Sequence, residues 1–233
     1  MTAVSINQHA YLAWPGYFHR IAISDLHIVL DHVQFEKNSL VNRNKIRTKT
    51  GWCWLSVPVL TKGLFGRLEI NRLEIVKNSP WEKKHWRSLV TNYSKAPYFE
   101  MYGGILQSAY QKGHHRLNEL VKEITTGILD ALDIRTPILF SSEMNARGKK
   151  DELVLNLCRE AGATTYISGP FGRNYLDEER FRDNGIRVFY HDYAPPTYPQ
   201  VFPGFESSLS IVDLLFNCGP ESRHIMEKDQ PLP

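Results

Sequence analysis

Short apolar runs alternate along this chain with longer segments whose apolar residues recur at three- and four-residue spacing. Ala3 to Ile6 reads as a short strand, and Leu26 to Leu30 (LHIVL) as a buried strand ending at Asp31. Between them Tyr17, Phe18 and Ile21 share one face of a short helix over 17–24. Trp52 to Val59 is enriched in aromatic and β-branched residues, as strands are, and Leu68 to Val76 (LEINRLEIV) predicts another strand. Ser79-Pro80 has the form of an N-cap followed by proline in the first helical turn, opening a helix through Trp81, His85, Trp86 and Leu89. Leu117, Leu120, Val121, Ile124, Ile128, Leu129 and Leu132 keep helical spacing over 117–132. Then come a strand over 137–140, a helix over 149–161 stopped by Gly162, and a strand over 164–167. A helix over 176–184 follows, closed by Gly185 as a C′ residue, then a strand over 186–190 and a final helix over 207–216. Strands separated by helices of this size imply βαβ units. The expectation is one α/β domain over 1–227 with a central, mostly parallel, Rossmann-like sheet. A helical insertion at about 80–133 would cap the site, and 228–233 would form a flexible tail.

Composition narrows the class. The 233 residues are 42% hydrophobic and 12% aromatic, too apolar for a disordered chain. A chain of this size buries roughly 70% of its extended surface. No run of eighteen apolar residues predicts a membrane span, and MTAVSINQHA lacks the charged start and apolar core of a signal peptide. The three cysteines are isolated, which writes neither a disulfide framework nor a CxxC site, and no metal motif is present. A cytoplasmic location is expected on these grounds. The net charge of +3, from 28 basic and 25 acidic side chains, is too balanced to imply nucleic-acid binding by itself. Five Trp, eleven Tyr and eleven Phe stand out, many beside amides, proline or histidine.

In open parallel sheets ligands bind outside the carboxyl ends of the strands. The residues that follow the predicted strands are Asn7, Gln8 and His9; Asp31, His32 and Gln34; Ser141, Ser142 and Glu143; Ser168, Gly169 and Pro170; and His191 and Asp192. Such loops also serve simply as polar helix caps. The segment SGPFGR, Ser168 to Arg173, lies between a strand and a helix, where backbone N–H groups receive a phosphate or carboxylate. It matches neither the dinucleotide fingerprint nor the P-loop. The densest polar segment, Leu30 to Thr48, sets Asn42, Arg43 and Asn44 together, a donor and acceptor set suited to a carboxylate, a phosphate or a sugar. The same basic stretch also reads as an exposed loop. Cys218 follows the last predicted helix, whose negative C-terminal end raises a thiol pKa. That favours a buried structural cysteine over a nucleophile.

Six segments together resemble the WbqC-like protein family: QHAYLAWPGYF (8–18), LDHVQFEKNSLVNRNKIRT (30–48), GWCWLSVPV (51–59), NYSKAPYF (92–99), SGPFGRNYLDEERF (168–181) and LSIVDLLFNCGP (209–220). The family start reads Gln-Pro-x-Tyr-x-Pro-Trp-x-Gly-Tyr-Phe, and this chain has His9 and Ala13 at the two proline positions. It also has Leu40 where the family tends to have tryptophan. The resemblance implies an enzyme of bacterial O-antigen and related surface-polysaccharide pathways, attaching an amino-acid or other acyl group to an amino sugar. It marks Gln8, Tyr11, Trp14, Asp31, Gln34, Asn42, Arg43, Asn44, Lys95, Tyr98, Ser168, Tyr175, Asp213 and Asn217 as a shared site, and Gly169 joins them from the strand-end reading.

These readings lead to an acyl- or aminoacyl-transferase acting on a nucleotide-linked amino sugar. Asp31 or His32 would be the base; Gln34, Asn42 and Asn44 would hold sugar hydroxyls or the oxyanion; Arg43 would meet a phosphate or carboxylate. Its partners would be a nucleotide sugar or other small molecule and an acyl donor, carrier-bound or tRNA-bound. Two alternatives stand beside it. One is an ATP-dependent, carboxylate-activating enzyme, since the βαβ alternation is similar to folds of the HUP type, although no HIGH- or KMSKS-like signature is present. The other is a non-catalytic carbohydrate-binding protein in which Tyr11, Trp14, Tyr17 and Trp52 stack on sugar rings.

Overall fold

A computed structural model describes every residue except Met1, Lys62, Leu64, Phe65 and Arg67. Strand β1 (Ala3–Asn7) leads through helix α1 (Pro15–Ala22) to β2 (Leu26–Val29). An antiparallel hairpin follows, β3 (Arg43–Thr48) with β4 (Gly51–Ser56). Then come helices α2 (Trp81–Tyr93), α3 (Phe99–Gln111) and α4 (Leu117–Ala131). The chain returns to the sheet as β5 (Ile138–Phe140), α5 (Lys150–Glu160), β6 (Thr165–Ser168), α6 (Glu178–Asp183) and β7 (Arg187–Tyr190). It closes with α7 (Ile211–Cys218) and α8 (Ser222–Glu227).

The five sheet strands lie in the order β5-β2-β1-β6-β7, and every pairing is parallel. Counted along the chain, the order is third, second, first, fourth, fifth. The winding reverses between β1 and β6, which is the Rossmann-like arrangement the alternation predicts. One sheet face carries Val4, Ile6, Ile28 and Tyr166 against Leu153, Val154, Leu157 and Cys158 of α5 and Phe181 of α6. The opposite face is polar where α1 covers it. Ser24, Ser5 and His27 form a fully covered hydrogen-bonded chain with 2.8 Å links, and the Tyr17 ring stands edge-on to His27. A second core joins the hairpin to α2, α3, α4 and α7.

Three expectations change. Leu68–Val76 is not a strand but a single turn of 3-10 helix, Ile70–Arg72, flanked by isolated bridges such as Val59 to Ile75. The buried residues there are Leu68, Ile70, Leu73 and Ile75, and the three-residue step in the middle breaks the two-residue period that a strand needs. Arg43–Thr48, read as part of a polar loop, is β3. Asn44 and Ile46 face inward, and the inward asparagine hides the alternation. The helix expected over 207–216 begins at Ile211, where the Ser210 hydroxyl accepts the Val212 N–H at 3.3 Å, and α8 follows it.

Gly219 ends α7 with φ of 55° and ψ of −127°, and a Cβ there would land on the Tyr98 ring. Gly113 also has positive φ, 66°, but faces open space. Gly219→Ala should therefore cost about 3 kcal/mol, from backbone strain plus the clash, and Gly113→Ala about 1 kcal/mol, from strain alone. Urea unfolding midpoints of the two variants measure the difference, and equal midpoints would remove the Tyr98 contact from the account.

Candidate functional site

The parallel sheet brings five strand-end loops to one edge, and the loops after β2 and β5 interlock there. Phe140 ends β5 and runs into a 3-10 turn over Ser141–Glu143, which swings both serines over Asp31 at the end of β2. Asp31 is only 1% exposed. Its Oδ1 accepts from the Ser141 hydroxyl (3.1 Å) and the Ser142 N–H (2.9 Å). Its Oδ2 accepts from the Ser142 hydroxyl (2.8 Å) and, at 3.4 Å, from the Asn118 amide on α4. A carboxylate offers about four lone-pair positions, and these four donors occupy them.

That count fixes a tautomer. The Ser141 hydroxyl has one proton, given to Asp31, and its oxygen accepts the Asp31 N–H at 3.1 Å. His32 Nδ1 lies 2.7 Å from the same oxygen, so Nδ1 must carry the proton it donates. In the neutral ring the lone pair is then on Nε2, which binds no described residue, and the ring is half-buried rather than sealed. Asn118 repeats the logic: its NH2 faces Asp31, so its Oδ1 accepts from His9 Nδ1 at 2.5 Å. Burial keeps His9 neutral, lowering it to about 4.

Two cavities flank this unit. One, of about 350 Å³, is lined by Asp31, Ser142 and Asn118 with Arg72, Arg116 and Lys122 and the carboxylates Glu119 and Glu143; Asn71 lines it too, its Oδ1 sealed and without a partner among the described residues. The other, of about 360 Å³, is lined by His9, Thr125, Thr136 and Arg135. Phe140 separates them, with the Lys122 ammonium 4.5 Å above its ring. Three cations and three carboxylates, Asp31, Glu119 and Glu143, line the first cavity beside the Asn71 and Asn118 amides, a mixed set that suits a ligand with both an anionic and a hydroxyl- or amine-bearing part.

The remaining candidates go to other places. Gln34 is exposed and bonds the Phe35 carbonyl. On the hairpin, Arg43 bonds the Asn38 carbonyl and stacks 4.3 Å above Trp54, Asn42 bonds the Val57 carbonyl, and Asn44 the Leu12 carbonyl. The structure thus does not join Gln34 or Arg43 to Asp31 and His32. Tyr11 is fully buried, its hydroxyl 2.8 Å from His85 and 2.5 Å from the Tyr110 hydroxyl, and Trp14 packs edge-on to Tyr193. Asp213 is fully buried and collects the hydroxyls of Tyr93 and Tyr198 and the Gln200 amide, at 2.7 to 2.9 Å. Beside it Asn92, Lys95, Gln200 and Asn217 line a cavity of about 570 Å³, while Tyr98 packs under Gly219. Ser168 ends β6, Gly169 and Tyr175 follow it, and Gln8 is exposed after β1. Burial pushes the Cys218 thiol up to about 11, helped by Asp213, which suits the structural reading of that cysteine.

A family model of the WbqC-like protein family matches residues 8–225. The chain belongs to this family. A relative from Mycobacterium tuberculosis (strain H37Rv), described as uncharacterized protein Rv1507c, is 39% identical over 224 residues, spanning 95% of this chain and 96% of its own length. No solved structure matches. Among WbqC-like motif positions, His9 is one of the departures, and it is the one whose side chain reaches Asn118 and, through it, Asp31. Asn118 itself escapes sequence reading, because a lone asparagine near a helix start carries no signal. Ser141 and Ser142 are visible only as polar residues after a strand. Among the described residues no helix is long and apolar enough to cross a membrane.

The buried imidazoles make stability depend on pH. Burial lowers His9, His19 and His85 to about 4 and His27 and His191 to about 3. All five lie below the unfolded value of about 6.5, so under that pH the unfolded chain binds more protons than the folded one. Their stabilisation is complete above about pH 6.5 and is lost as pH falls towards the folded values, at about 1.4 kcal/mol per pH unit for each imidazole. Asp213, raised by burial, runs the other way and is one group against five. Thermal melts between about pH 7.5 and about pH 4.5 should show Tm falling steadily once pH drops below about 6.5. A flat Tm over that range would mean the imidazoles protonate within the fold.

Proposed function

We propose that the chain transfers an acyl or aminoacyl group to the amine of a nucleotide-linked amino sugar, in bacterial surface-polysaccharide or related sugar biosynthesis. The observation that carries this reading is the His32–Ser141–Asp31 unit at the carboxyl edge of the sheet. It leaves His32 Nε2 without a partner among the described residues, next in the chain to Asp31, which lines a cavity holding Arg72, Arg116 and Lys122 together with Glu119 and Glu143. Asp31 has no free lone pair for a proton, so its part is to fix Ser141 and, through it, the ring.

In this reading the sugar ammonium gives a proton to His32 Nε2. The freed amine nitrogen attacks the donor carbonyl carbon, and a C–N bond forms as the carbonyl electrons move to oxygen. Arg72, Arg116 and Lys122 would meet that oxyanion and phosphate on the ligands, while Glu119 and Glu143 in the same lining would face the sugar's hydroxyl and ammonium groups. The nitrogen of the adduct loses its second proton to solvent, and collapse breaks the bond to the leaving group, which takes the first proton back from His32. Phe140 and Lys122, set between the two cavities, suit a donor and an acceptor held side by side.

Purified protein incubated with nucleotide amino sugars and a panel of acyl donors should give an N-acylated sugar, detected by mass. His32→Gln should lower kcat about 100- to 10,000-fold, the usual weight of a general base. Unchanged turnover in His32→Gln would sink the assignment. Binding of the sugar without turnover by any donor would favour the binding-protein reading, and pyrophosphate release from ATP with free amino acids would favour the activating one.

A further inference from the structure

We infer that the crevice between β1 and β6 is an oxyanion site built on Arg20, which takes the diphosphate of the nucleotide sugar. Arg20 lies near the end of α1 and is 7% exposed. Among the described residues no carboxylate pairs with it; the groups acting on its charge from nearby are the phenols Tyr166, Tyr17 and Tyr175. A buried guanidinium without a counter-charge is costly, and a fold retains one where an anion completes it. Its Nη1 donates to Asn7 Oδ1 at 2.6 Å, at the end of β1, and its Nε faces His191 Nδ1 at 3.4 Å, just after β7. The third nitrogen, Nη2, donates to no described residue and is not among the sealed polar atoms, so it keeps some access to solvent, on the side where Gly169 stands.

The neighbours keep the site cationic. Because Arg20 Nε can only donate, His191 Nδ1 accepts and the His191 proton sits on Nε2. That proton goes to His19 Nδ1 at 2.7 Å, with the two rings stacked at 5.0 Å. Both imidazoles are thus neutral, and Arg20 holds the only full charge of the group. Gly169, just past β6, faces the same nitrogen. A Cβ there would stand 2.9 Å from Nη2 and 3.1 Å from Nη1, so only glycine leaves this edge of the guanidinium uncrowded. This is also the point where the sheet order reverses, the crevice that open α/β sheets use for ligands. From β6 to β2 is two strand spacings, about 10 Å. One sugar ring and its linking oxygens bridge such a gap, which would set the amine by His32 and the diphosphate by Arg20. The identity of the ligand rests on the transfer reading above; the anion site does not.

Calorimetry and thermal shift with inorganic pyrophosphate, UDP, GDP and dTDP test this directly. Wild-type protein should bind at least one of them and melt higher in its presence. Arg20→Met should weaken binding about 10- to 100-fold, the worth of a charge-assisted hydrogen bond. It should also melt no lower than wild type without ligand, because it removes an uncompensated buried charge; a purely structural arginine would lose stability instead. Gly169→Ala, which crowds the guanidinium while keeping it, should weaken binding in the same direction and covers the case in which Arg20→Met does not fold. No binding by wild type, or equal binding by both variants, overturns the proposal. Diphosphate binding through Arg20 with no acyl transfer would leave the site standing and remove the transfer reading; transfer with an unchanged KM for the nucleotide sugar in Arg20→Met would do the reverse.

Discussion

Because every strand of the sheet runs the same way, every connection must return across a face and every carboxyl end must open on one edge. That constraint organises the rest. It sends α1 over one face and α5 and α6 over the other, and it forces the longest connection, from β2 to β5, to carry the hairpin and three helices. It also gathers residues far apart in sequence, so that Asp31, Ser141 and Asn118 share hydrogen bonds across 87 to 110 positions.

The face under α1 is unusual for a parallel sheet, which commonly buries Val, Ile and Leu on both sides. Here it carries Ser5, His27 and Asn7. The groups on it are bonded in two chains, from Ser24 to Ser5 to His27 and from Asn7 to Arg20 to His191 to His19, while the Tyr17 hydroxyl and the outer nitrogens of His19 and His27 are sealed without a partner among the described residues. The imidazoles stay neutral, which avoids the cost of burying charge. Among the described residues no carboxylate pairs with Arg20, and that asymmetry is what the proposed anion site rests on.

At the other end of the same edge Asp31 is the opposite case, a carboxylate satisfied by four donors. Its saturation is informative, since it moves the available lone pair outward to His32. Among the described residues His32 Nε2 near β2 has no partner and Arg20 near β6 pairs with no carboxylate. The proposed ligand, with an amine at one end and a diphosphate at the other, would meet both.

Local pattern alone determined the alternation of strands and helices, the helices at Leu117–Ala131 and Lys150–Glu160, and hence a parallel sheet with polar loops at its carboxyl edge. The periods of two and 3.6 are properties of the backbone and need no neighbours to be read. The same reading failed at Leu68–Val76 and at β3, because there the burial of Asn44, Leu73 and Ile75 is set by elements distant in the chain. It flagged Asp31 and His32 but joined them to Gln34 and Arg43 by closeness in sequence, whereas the structure joins them to Ser141 and, through Asp31, to Asn118. Strand order, the tautomer of His32 and the lack of a counter-ion at Arg20 are relations between residues up to 172 positions apart. No local periodicity encodes such relations, so only tertiary packing could decide them.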